Sequence, residues 1–84
     1  MLSAAQIAIY ATYAGDLDGW TRHATDRSAI TTADWQLIDE LLLGLALVQR
    51  GAASADYAQA LNCRIDTVVA DAAARAALYR LAGG

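Results

Sequence analysis

Three times the sequence writes the opening of a helix, and this grammar constrains the fold more than any other feature. Ser3 stands three residues before Gln6, the spacing of a capping box, while Leu2 and Ile7 hold the positions of a hydrophobic staple. Thr31 precedes Asp34 by the same interval, with Ile30 and Trp35 as its staple, and Ser54 opens the last long run. Gly15 and Gly51 supply left-handed stops. These signals predict helices over residues 4–14, 32–50 and 55–81. A shorter one over 17–27 is capped by Asp16, with Asp18 reaching Arg22 one turn on and Gly19 weakening it. In the last helix Tyr57, Leu61, Ile65, Val68, Ala72, Ala76 and Tyr79 form one stripe at three- and four-residue spacing.

Composition agrees with helix throughout. Alanine supplies 21 of 84 residues, and proline, which would interrupt a helical ladder, is absent. The expected fold is all-α, a small antiparallel three- to four-helix bundle made by residues 1–84 as one domain, with the third helix at its centre. A chain this short buries only ~60–65% of the surface its unfolded form exposes. Hydrophobic residues nevertheless make up 57% of it, more apolar surface than a small monomer easily hides. The excess points to a protein partner, either a second copy or another chain.

Charge narrows the classes of function. The net charge of −3 divides into −4 over residues 1–42 and +1 over residues 43–84, and the six Arg are scattered. Phosphate binding needs cations gathered on one face, so nucleic acid is not an expected partner. The preference for Arg over Lys and Asp over Glu reads as a coding bias. Cys63 is the single cysteine, which rules out an internal disulfide and fits a reducing compartment, so a cytoplasmic location is expected. The apolar run over residues 41–48 falls far short of the ~20 residues needed to span a bilayer. Residues 1–15, though apolar, lack the positive start of a secretion signal.

The chemistry-bearing residues concentrate in one place, residues 10–27, from which Tyr13, Asp16, Asp18, Trp20, Arg22 and His23 are the candidate interaction residues. Asp16, Asp18 and Gly19 have the spacing of the middle of a calcium loop. That register, however, puts Ala14 at its first position and Thr25 at its twelfth, where a bidentate glutamate is required. One His and one Cys do not make a zinc set. Neither a nucleophile with a base nor a phosphate-cradling glycine loop is present, so no catalytic residue, metal or cofactor is expected. His23 reads as a half-exposed helix residue, Cys63 as an incidental thiol, and Trp20 and Trp35 as structural.

One stretch bears on nucleic acid. Tyr57, Ala58, Ala60, Leu61, Cys63, Thr67 and Val68, within residues 45–81, resemble the helix-turn-helix region of alternative sigma factors, in which a helix, a turn with Cys and a recognition helix follow one another. The resemblance implies a transcription regulator, and this is the alternative reading. The chain departs from the pattern where the recognition helix reads TVVADAAAR in place of the Lys and Arg that meet phosphates.

The leading reading is a non-enzymatic helical module that works by packing against a protein, and it rests on the third helix. Turning 100° per residue from Ile38, the side chains of Trp35, Leu41, Leu42, Leu45, Ala46 and Val48 gather within about 80° on either side. Leu43 and Leu47 fall at about 140° and 180°, among Gln36, Glu40 and Arg50. They require cover from another helix of the chain or from a second copy, and a twofold homodimer is the expected form.

Overall fold

The computed structural model describes residues 1–23 and 27–83. Its helices are α1 (Ala4–Thr12), α2 (Leu17–His23), α3 (Thr32–Gln49), α4 (Ala55–Val68) and α5 (Ala72–Gly83), with a 3-10 turn at Arg27–Ala29 before α3. No strand occurs among the described residues.

The caps act as written. At α1 the Ser3 hydroxyl accepts from the Gln6 backbone N–H at 3.3 Å, and the Gln6 side chain accepts from the Ser3 N–H at 2.8 Å. Thr31 and Ser54 accept from the N–H groups of Asp34 and Tyr57, each at 3.1 Å. Both staple pairs, Leu2 with Ile7 and Ile30 with Trp35, are buried. Helix α3 ends in a Schellman motif, in which Ala52 N–H reaches Leu47 C=O at 2.9 Å and Gly51 N–H reaches Val48 C=O at 3.1 Å, with Gly51 at φ +69°. Helix α1 ends two residues before its expected limit. There Ala14, at φ 51°, takes the left-handed position, and Gly15, at φ 81°, follows it.

Helix α2 is capped by Asp16, whose carboxylate accepts from Gly19 N–H at 3.0 Å. Gly19 is part of that cap, because a Cβ at this position would collide with the Asp16 carboxylate. Residues 24–26, in the second half of the expected helix, lie outside the described residues. The Asp18–Arg22 pair is not among the ion pairs of the described residues.

The fourth helix departs from expectation by breaking into two, which makes five helices among the described residues where three or four were expected. Val69 leaves helical geometry at φ −126°, ψ 69°, and Asp71 starts α5 as a cap, its carboxylate accepting from Ala74 N–H at 3.0 Å. Leu2 N–H donates to the freed Val68 C=O at 2.8 Å, and Arg75 pairs with Asp66 across the break at 3.0 Å. The break re-aims the second half. Leu61 and Ile65 of the stripe stay buried, but α5 turns Ala74 and Leu78 into the core, leaving Ala72, Ala76 and Tyr79 outside.

Helix α3 is central, touching α1, α4 and α5, while α1 lies along α5. Its buried residues are Trp35, Ile38, Leu41, Gly44 and Leu45. Leu42 and Val48 of the expected arc pack against the core while partly exposed, and Gly44, outside that arc, is buried where α4 crosses. A Cβ on Gly44 would sit 2.8 Å from the Tyr57 hydroxyl and 3.1 Å from a Leu61 methyl. The missing side chain sets how closely the two helices approach, which loads the core towards the α4 side of α3.

Candidate functional site

Three surfaces follow from this packing. The first is internal. Helix α1 brings Tyr10, α2 brings Trp20 and α3 brings Trp35 into one aromatic cluster, with ring centroids 4.7 Å apart for Tyr10–Trp35 and 5.3 Å for Trp20–Trp35. Tyr10 donates its hydroxyl to Asp39, whose carboxylate is exposed. Burial, the hydrogen bond and the negative charge of Asp39 together raise the Tyr10 pKa well above its ordinary value, in that order of size. The phenol is therefore held in its protonated form as a donor to Asp39. Neither indole N–H has an acceptor among the described residues.

The residues of the 10–27 segment are consequently divided. Trp20 is 4% exposed and belongs to the core. Tyr13 is half-buried against that core, and Asp16 is a helix cap. Asp18, Arg22 and His23 are exposed along α2, with Arg22 and His23 in its last turn, where a cation favours the helix dipole. Trp20 is thus turned inward, while Asp18, Arg22 and His23 face solvent.

The second surface is the outer side of α3. Leu43 is 63% exposed and Leu47 is half-buried, so no helix among the described residues fully covers the back of α3. Acids precede Leu43 at Asp39 and Glu40, one turn earlier. Glu40 is held by a two-pronged ion pair with Arg64 of α4.

The third surface has no signal in the periodicity of the sequence. Between α1 and α5 runs an open groove of about 440 Å³, lined by Ile7, Ala8, Ala11, Ala77, Arg80 and Leu81. Its small walls come from alanines that periodicity scores only as helix formers. Their pairing across two helices depends on the rotation of α5 after the break at Val69. Arg80 is the cation at its edge, and among the described residues it has no ion-pair partner.

No group of His, Cys, Asp and Glu among the described residues has the arrangement to hold a metal ion. No helix there is long and apolar enough to cross a membrane. Cys63, Thr67 and Val68 all lie inside α4, so the turn that the sigma-factor resemblance places at Cys63 does not occur; the chain turns at residues 69–71. Arg64 and Arg75, the cations nearest that region, are held by Glu40 and Asp66. No known protein family matches the chain, and neither a curated protein nor a solved structure is similar to it.

Proposed function

We propose that this protein is a non-enzymatic helical interaction module that associates with copies of itself through the outer face of α3. The observation that carries the reading is the 63% exposure of Leu43 on a helix whose opposite face buries Trp35, Ile38, Leu41 and Leu45. An apolar side chain rimmed by charged residues gains free energy from cover, and a fully buried leucine contributes ~1.5–3 kcal/mol relative to an exposed one. Leu47, one turn further on, extends the same ridge. The exposed thiol of Cys63 fits a reducing, cytoplasmic setting.

The test is light scattering of the parent and of Leu43→Glu across a concentration series. The parent associates with rising concentration, and the variant stays monomeric with an unchanged circular dichroism spectrum. A parent that remains a monomer at high micromolar concentration overturns the proposal.

A further inference from the structure

The outer face of α3 carries an order of residues that its two leucines alone do not convey. Gln36, Glu40, Leu43, Leu47 and Arg50 follow one another at steps of four, three, four and three residues, the spacing by which one helix presents a continuous seam to another. Leu47 is half-buried and the other four are exposed. Leu43 and Leu47 stand symmetrically about residue 45, and so do Glu40 and Arg50.

Charge therefore distinguishes the two ways of laying this seam on a copy of itself. With the helices parallel about a twofold axis, every residue meets its own counterpart, so Glu40 faces Glu40 and Arg50 faces Arg50. With the helices antiparallel and meeting at residue 45, Leu43 meets Leu47 of the second copy, and Glu40 meets Arg50 at both ends. Like charges set opposite one another exclude a register, and opposite charges fix it. The pairing of Glu40 with Arg64 leaves room for this contact. A carboxylate offers about four acceptor positions, of which the two-pronged pair with Arg64 takes two. Asp39, beside Glu40, adds a second negative charge, and the group that donates to it is the neutral Tyr10 hydroxyl. Arg50 takes part in neither ion pair of the described residues.

We infer that two copies associate by laying their α3 helices antiparallel about a twofold axis beside residue 45, with Arg50 of each copy reaching Glu40 of the other. This rests on the self-association proposed above and adds to it an orientation and a charge contact. Both leucines and both charges are used in one self-complementary contact, so association closes at two copies.

Orientation is read from one spin label. Cys63→Ser removes the exposed natural thiol, and Ala33→Cys puts a single attachment point on an exposed position in the first turn of α3. Residue 33 lies twelve positions before residue 45 in each copy, so at 1.5 Å per residue the two labels of an antiparallel pair are about 36 Å apart along the helices. In a parallel pair they stand side by side, about 10 Å apart. A separation outside roughly 30–45 Å overturns the antiparallel arrangement. The charge contact is read by light scattering of Arg50→Glu, with circular dichroism to confirm its fold. Association of this variant is about five-fold weaker than that of the parent at low salt, and the difference shrinks in about 1 M salt, where exposed charges are screened. An Arg50→Glu variant that associates as the parent does overturns the inference, while self-association through Leu43 stands. A parent that stays monomeric overturns both.

Discussion

Ala14 carries a conformation that its side chain resists, and removing its methyl group tests the helix-stop reasoning directly. Its φ of 51° places it in the left-handed region at the end of α1, with Gly15, at φ 81°, one position later. Its N–H donates to Ala11 C=O at 3.0 Å and that of Gly15 to Tyr10 C=O at 3.5 Å, the two bonds of a Schellman motif, so the turn is held by the backbone. The methyl group of Ala14 is exposed and contributes no burial. For an L-residue the left-handed well costs roughly 1–2 kcal/mol through the clash of Cβ with the following carbonyl. Ala14→Gly removes that cost, while glycine's extra freedom in the unfolded chain returns roughly 0.5–1 kcal/mol. The net expectation is a stabilisation of about 0.5–1 kcal/mol, or a rise in Tm of roughly 2–8 °C for a domain of this size. Urea and thermal denaturation followed by circular dichroism measure it. Ala11→Gly, inside the helical ladder three residues earlier, serves as a control of opposite sign, losing about 0.5–1 kcal/mol. A loss of stability in Ala14→Gly comparable to that of the control would refute the left-handed assignment and the end of α1 drawn from it.

Three further outcomes follow from the core and its caps. Tyr10→Phe removes a hydrogen bond to a carboxylate that stays solvated, and is expected to cost about 1–2 kcal/mol in urea denaturation. Because the folded state keeps the Tyr10 proton above the pH at which the unfolded chain releases it, the unfolded state binds fewer protons there. Stability therefore falls as pH rises through and above about 10, and Tyr10→Phe makes that fall shallower, a difference read from melts between pH 8 and 11. Asp71→Ala deletes the cap of α5 and loses about 1 kcal/mol; no loss would mean that a continuous helix replaces the break. Trp35→Ala empties a fully buried site between Tyr10 and Trp20 and costs about 3–5 kcal/mol, and a loss below 1 kcal/mol would contradict the aromatic cluster.

Which parts of this protein were readable before folding follows from the range of the interactions involved. Cap boxes, staples and left-handed stops act within about one helical turn, so the starts at Ser3, Asp16, Thr31 and Ser54 and the stop at Gly51 were all legible in the sequence. The place of Leu43 on the face away from Ile38 was legible too, because it follows from a 100° rotation per residue, whereas its exposure depended on which helices pack over that face. Local rules also contained Asp71 three residues before Ala74, but the alanine-rich run around it matched an uninterrupted helix equally well. Tertiary contact decided between the two: Leu2 N–H satisfies the carbonyl freed at Val68, and burying Val69, Ala74 and Leu78 together requires α5 to turn. The closeness of α4 to Gly44, the pairing of Tyr10 with Asp39 across 29 residues, and the groove between α1 and α5 belong to the same category. Each depends on how two helices far apart in the chain are rotated against one another. Periodicity assigns a residue to a face of its own helix, and only packing chooses which other face it meets.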